Sequence, residues 1–479
     1  MSDKYLNTIH GVIGEIIASH GSLDDTHVHD TTWRAYWRTV NESNPHAYAL
    51  AELIALDFRA LLAKPEVSLV TLCQYYTMLH DLYRLGAQRD SDVKRFDLNA
   101  VIPFAQWLQN HIEYRELTTT KTIHDRLKIG YLCSWAMFTD GNPVAEIVHE
   151  AINCHATYAN REIYTYLTIA GAEDYVRSLN NTIIRDIRQG YDFGTLAAAA
   201  EVIRNDNLDI LIADGVGATA TYLFMSRVAP IQIYYDYGCP FWSIPQLDWA
   251  LSAQADDAAL VGLPVGRTTK SWSVLLTSKR KQLIHKTTDR LARLRYPADR
   301  IIVGCIVRFA KLSSEYIDIL ETLLEKRQDV HVVLVGPGES AFVSRLTSNE
   351  RLARDVSIVN GYQELATYAP VFDMFLDTFP HSGGAAPIEV AAHGVPIVSM
   401  ETADKQRDYA SQRDPRLVAK SAAEYIHIIE ELIDNKEFYG SASQASVELS
   451  KAFSDAARMV AATEDGIRAA IAAKNPLIA

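Results

Sequence analysis

Up to about residue 122 the apolar positions recur at three- and four-residue spacing, and β-type runs are almost absent. Segments 4–19, 45–63, 67–86 and 98–114 carry that period, punctuated by Pro65, Gly86 and Pro103, which predicts an all-helical domain over 1–122. The aromatics there (Trp33, Trp37, Tyr75, Tyr76, Tyr83) are expected to pack helices together rather than face a ligand. The pattern changes at Leu127. A short β-type run from Leu127 to Ser134 leads through Asp140-Gly141-Asn142-Pro143 into a helical stretch, and runs at 162–169, 208–214 and 231–235 continue the alternation. Right-handed crossovers turn such an alternation into a parallel sheet. A second series opens with 301–306, where Ser313 is placed to cap a helix over 314–326, and continues with 330–338, 356–361, Met374 to Leu376 and Val395 to Val398. The predicted architecture is α/β: two tandem doubly wound, Rossmann-like domains, 123–285 and 286–460, behind the helical domain. Residues 421–433 and 440–471 read as closing helices, the last of them long enough to cross back to the first α/β domain, with 461–479 taken as closing helix and tail.

The stretch from Asp373 to Met400 holds the densest candidate chemistry. Its strand meets Asp377 and Pro380, Ser382-Gly383-Gly384 opens a helical segment running to His393, and Gly394 stops it. A helix start offers unpaired N–H groups, and residues without Cβ let an anion approach the backbone. Ser382, Gly383 and Gly384 therefore read as a phosphate seat, with Glu389 placed to accept hydrogen bonds from a ribose diol. From the residues alone a second reading stands beside this one, a plain tight turn followed by a solvated helix carboxylate.

Composition narrows the function classes. The chain has 479 residues, 48% hydrophobic and 22% charged, which fits a multidomain globular protein. A formal charge of −13 argues against a general nucleic-acid or anionic-membrane surface. The five cysteines (73, 133, 154, 239, 305) are odd in number and widely spread, and no metal is expected; they predict reduced thiols in a cytoplasmic protein. The start of the sequence lacks signal-peptide features, and no apolar run reaches membrane-spanning length.

Over about 125–460 the chain resembles the GT-B glycosyltransferases, and among them the group containing O-GlcNAc transferase and the cytoplasmic bacterial N-glycosyltransferases of adhesins. The resemblance is carried by Lys128-Ile129-Gly130-Tyr131 with Gly141-Asn142-Pro143, Asp209-Ile210-Leu211 with Arg227 to Gln232, Phe309 to Glu315, and Leu376 to Pro380 through Gly394-Val395-Pro396. It implies a UDP-sugar as donor substrate held mainly by the second α/β domain, no cofactor, and inverting transfer to an acceptor, a protein or peptide recruited by the helical domain. Under that resemblance Lys311 sits at the diphosphate in place of a metal ion. Ser382, Gly383 and Gly384 donate to the phosphates, Glu389 holds the ribose, Asn360, Gly361 and Tyr362 lie near the base, and His381 touches a phosphate.

The acceptor side departs from the pattern. Where O-GlcNAc transferase has a histidine in its first glycine–asparagine loop, this sequence offers Asn142. The candidate general bases are then Asp140, favoured here, Asp236, Asp214 and His149, each with an equally ordinary reading as a loop cap or packed polar group. Alternatives from other classes are a transferase for a small molecule or glycan, a sugar-nucleotide 2-epimerase, a catalytically silent GT-B subunit assisting a partner, and a helical scaffold.

Overall fold

The computed structural model describes residues 47–86, 94–133, 143–157, 161–168, 179–187, 190–236, 242–252, 266–286, 290–338, 341–361, 363–380, 382–401 and 414–474. These form two compact units, one from residues up to 274 together with 456–474, the other from 275–455. The sequence-based boundaries at 285 and 460 thus fall at 274 and 455, and the boundary at 122 falls inside the first unit.

The first unit is built on seven parallel strands: β1 (Leu127–Cys133), β2 (Arg161–Leu167), β3 (Thr182–Asp186), β4 (Ile210–Ala213), β5 (Ile231–Tyr235), β6 (Trp249–Ser252) and β7 (Thr268–Lys270). Their order is β3-β2-β1-β4-β5-β6-β7. β3, β6 and β7 escape the sequence pattern because runs of three to five residues, polar at the sheet edges, are too short to display a period. Alternation along β1 sends Ile129, Tyr131 and Cys133 to one face and Leu132 to the other. On Leu132's side, helices α1 (Ala47–Leu62), α2 (Leu69–Gly86), α3 (Ile102–Gln109), α5 (Phe193–Asn205) and α6 (Ala218–Met225) share one apolar core with the sheet. Tyr75, Tyr76 and Tyr83 are buried in it, and Tyr76 donates to the Val216 carbonyl at 2.8 Å; Trp33 and Trp37 lie outside the described residues. The described helices at 47–109 therefore share their apolar core with this sheet.

On the opposite face, α4 (Pro143–His155) packs beside the C-terminal helix Ala456–Lys474, which runs against β5, β6 and β7 and buries Ile467, Ala470 and Ile471 in the core on that face. The closing helix does return to the first sheet. A Cβ at Gly466 would come within 2.0 Å of the Leu251 side chain, so a glycine is needed for that approach. Glu464 enters the interior there. Its carboxylate receives His155 Nε2 at 2.7 Å and Arg161 Nη2 at 2.5 Å, while the Tyr131 hydroxyl lies 2.6 Å from His155 Nδ1. Burial by itself would raise the Glu464 carboxyl, but the hydrogen bonds from His155 and Arg161 outweigh it and hold the group at about 2.

The second unit carries β8 (Ile301–Ile306), β9 (Val330–Gly336), β10 (Val356–Asn360), β11 (Met374–Leu376), β12 (Ile397–Met400) and β13 (Val418–Ala419), all parallel and ordered β10-β9-β8-β11-β12-β13. α7 (Ser278–Lys286) precedes the sheet. α8 (Ser314–Lys326) follows β8, starting as expected with the Ser313 hydroxyl accepting from the Tyr316 amide. α8 and α10 (Ala422–Asp434) cover one face, and the short α9 (Ala386–Ala391) helps cover the other. Among the described residues no helix is long and apolar enough to cross a membrane.

Glu464 generates a stability prediction. A carboxyl whose folded-state value is depressed contributes stability above its unfolded value, and that contribution fades as pH falls from the ordinary glutamate range toward about 2. Glu464→Gln strands buried Arg161 and should cost about 3–5 kcal/mol at pH 7. Urea unfolding at pH 7 and pH 3 should show a smaller gap between variant and parent at the lower pH; equal midpoints at pH 7 would remove the ion cluster from the account.

Candidate functional site

In the second unit the winding reverses between β8 and β11: β9 and β10 lie to one side of β8, and β12 and β13 to the other side of β11. Loops leaving two strands at such a reversal diverge, opening a crevice at the carboxyl edge of the sheet. The loop after β8 contains the turn Phe309–Lys311, anchored by the buried Phe309 ring. The loop after β11 runs from Asp377 to Ala385.

The two loops meet. Lys311 Nζ donates to the Ser382 carbonyl at 2.8 Å. Beneath them, Asp377 is buried and organises the turn: its Oδ2 accepts from Ser382 Oγ at 2.7 Å, and its Oδ1 accepts from the Gly383 amide at 2.7 Å and the Thr378 amide at 3.1 Å. Two buried phenols fix the strand end. Tyr316 of α8 donates to the Leu376 carbonyl and Tyr425 of α10 to the Asp377 carbonyl, both at 3.0 Å. Burial raises the Tyr316 phenol well above its usual range, so it remains a neutral donor. The Phe379–Pro380 bond within the turn is cis.

This arrangement changes the expected seat. The helix starts at Ala386, not at the glycines, and spans six residues. The Ser382 hydroxyl and Gly383 amide, expected to face a phosphate, point at Asp377, because a buried carboxylate needs donors and these are the nearest. Gly384 has φ +69, and a Cβ there would meet nothing within 4 Å; its amide donates to Ser382 Oγ at 3.3 Å. The amides of Ala385 and Ala386 head the helix, where no earlier turn supplies carbonyl acceptors. The Gly384 amide is thus also engaged within the turn, and the amides that head the helix at 385–386 lie beyond the predicted triplet.

Glu389 is buried, which excludes its reading as a solvated helix carboxylate. Its Oε2 lies 3.7 Å from Nη1 of Arg280 on α7, and the same nitrogen donates to Glu364 Oε1 at 3.2 Å. Asn360 and Gly361 end β10, two strands from β8 and so roughly 10 Å away at ordinary strand spacing. Gly361 has φ +104, and its amide donates to the Gly336 carbonyl at 3.1 Å. Asn360 is exposed. Lys311, Ser382 to Gly384, Glu389, Asn360 and Gly361 therefore all belong to one unit and, apart from Glu389 inside its helix, to the carboxyl edge of its sheet.

Tyr362, His381 and Asp140 lie outside the described residues. Asp236 follows β5 in the first unit, half-buried, its carboxylate accepting from Ser252 Oγ at 3.1 Å and its amide donating to the Leu251 carbonyl at 2.8 Å. Asp214 is buried after β4, and His149 sits within α4, 3.3 Å from the Asn153 side-chain amide. Arg227 to Gln232 is structural: Arg227 reaches Asp248 at 2.7 Å, and buried Gln232 donates to the Phe224 and Gln246 carbonyls, pinning the entry to β5 rather than its carboxyl end. Sequence reasoning missed Asp377 as an organiser, and Arg280, Tyr316 and Tyr425 altogether. An aspartate directly after a switch-point strand, five residues before Ser-Gly-Gly, was the available signal for the first.

Asp377→Ala should free the Ser382 and Gly383 donors and slacken the turn. Each buried group left unpaired costs about 1–3 kcal/mol, so thermal unfolding should come several degrees earlier, with Asp377→Asn between variant and parent. An unchanged melting temperature in Asp377→Ala would deny Asp377 its organising role.

No family model matches this sequence, and no curated protein matches it. Solved structures do match its fold. A mutant of the Thermobaculum terrenum O-GlcNAc transferase is similar with a TM-score of 0.61 at 19% identity, over 99% of this chain and 100% of that one. Anabaena HepE in complex with UDP and glucose is similar with a TM-score of 0.52 at 14% identity, over 71% of this chain and 99% of its own. A glycosyltransferase from Rickettsia africae gives 0.50 at 12% identity, over 71% of this chain and 97% of its own. With two Rossmann-type parallel sheets in tandem behind a helical region, the chain has the GT-B fold and resembles O-GlcNAc transferase in fold along its length.

Proposed function

We propose that this protein is an inverting glycosyltransferase that moves a sugar from a UDP-sugar to a protein side chain, without a metal ion. The observation that carries the reading is the meeting of Lys311 with the Ser382 turn at the β8/β11 switch point, which sets a fixed cation beside open main-chain amides. That pairing suits a diphosphate. The likeness to HepE with UDP and glucose supports a UDP-sugar as donor. The likeness to an O-GlcNAc transferase extends over 99% of this chain, helical region included, and supports a polypeptide acceptor.

In the proposed reaction the bond between the anomeric carbon and the diphosphate oxygen breaks, and the acceptor heteroatom bonds to that carbon from the opposite face. The electron pair leaves with the diphosphate. Lys311 stabilises the charge developing there, and the amides at 385–386 add fixed dipoles. The acceptor proton passes to a general base, for which Asp140 and Asp236 remain the candidates. Asp236 accepts from Ser252, which orients its carboxylate.

A panel of nucleotide sugars, assayed for nucleotide release with and without peptide acceptors, tests the reading. UDP-sugar turnover should be found, should survive EDTA, and should fall about 100- to 1,000-fold in Lys311→Met. UDP binding without turnover on any acceptor would favour the silent-subunit alternative, and no binding at all would end the nucleotide reading. Asp236→Asn and Asp140→Asn, assayed in parallel, should separate the base from its rival: the true base loses about 100-fold or more in kcat while UDP affinity stays unchanged. Full activity in both variants would place the base elsewhere.

A further inference from the structure

Glu389 is a carboxylate enclosed in a six-residue helix, and a buried charge persists only when paired. Its pair comes from outside the sheet. The Thr277 hydroxyl accepts from the Arg280 amide at 3.3 Å, capping α7 and fixing Arg280 in its first turn. From there the side chain, itself 7% exposed, reaches Glu389 at 3.7 Å and Glu364 at 3.2 Å with one nitrogen. Glu364 stands at the head of the short helix Leu365–Tyr368, a few residues past Asn360 and Gly361. One guanidinium therefore spans the segment expected at the base and the carboxylate expected at the ribose.

We infer that Arg280 is a positioning residue for the nucleoside, holding Glu389 in the orientation that accepts a ribose diol and tying the 360–364 segment to it. The inference rests on the nucleotide-sugar reading of the site. A guanidinium is planar, permanently charged and carries five donors in a fixed fork, so it can serve two carboxylates at once; a lysine offers a point charge on a flexible stem. Recognition of the ribose hydroxyls then depends on a residue that touches no part of the nucleotide. Arg280→Lys keeps the charge and loses the fork, which aims the defect at orientation rather than at fold.

The test is calorimetric titration of the full-length protein with UDP and 2′-deoxy-UDP. The parent should bind UDP more tightly than the deoxy form. Arg280→Lys should weaken UDP by about tenfold or more, in line with loss of a charged hydrogen bond, and 2′-deoxy-UDP much less, so the ratio collapses toward one. Glu364→Gln alters a half-exposed group and should fold normally; it should weaken both nucleotides by about two- to fivefold and leave their ratio intact. A preserved ratio in Arg280→Lys overturns the inference while the nucleotide site stands. Failure of the parent to bind UDP overturns both. Should Arg280→Lys not fold, unaltered binding of both nucleotides to Glu364→Gln overturns the tie.

Discussion

A carboxylate buried under a glycine turn is the constraint on which the site depends. Asp377 cannot be left without donors in the interior, and it obtains them by drawing in the Ser382 hydroxyl and the amides of Thr378 and Gly383. That demand bends the chain after β11, turns the Ser382 carbonyl toward Lys311, and leaves the amides that head the helix at 385–386 beyond the turn's own hydrogen bonds. The anion that fixes the turn is the protein's own. An incoming diphosphate meets a seat already set by an internal charge, and preorganisation of this kind is what makes fixed dipoles effective in catalysis.

The rest of the unit keeps this turn in place. Tyr316 and Tyr425 arrive from the helices on one face to hold the last carbonyls of the strand, and Arg280 arrives from α7 to neutralise Glu389. The first unit solves a comparable problem with Glu464, a buried carboxylate that locks the C-terminal helix to His155 and Arg161. In both, a buried carboxylate joins segments far apart in the chain, and for Glu464 the hydrogen bonds outweigh the desolvation that would raise its carboxyl. The helices at 47–109 share an apolar core with the sheet, and buried Asp97 among them accepts from the Ser243 amide at 2.7 Å.

Much of this was legible in the sequence, for physical reasons. Strands buried on both faces write continuous β-branched runs, and the helix over 314–326 announces itself by a serine cap, an apolar stripe and an acidic first turn. The two tandem sheets, Lys311 and the Ser-Gly-Gly turn followed from such local signals together with motif order. The organisers did not. Asp377 with Gly383 is short-range but needs the turn's path to be known, while Arg280 with Glu389 depends on α7 packing against a sheet that begins after it. That the helices at 47–109 share an apolar core with the first sheet was hidden for a related reason: periodicity reveals which face of a helix is apolar and says nothing of what covers it. The predicted helix start at the glycines failed because the sequence does not show that a neighbouring carboxylate claims their donors first.

A crystal structure of the full-length protein with UDP tests the central claim most directly. The account predicts the diphosphate within hydrogen-bond distance of Lys311 Nζ and of main-chain amides at 385–386, with Asp377 still holding Ser382 and Gly383. A diphosphate bound elsewhere, or one that displaces Asp377 from the turn, would contradict it.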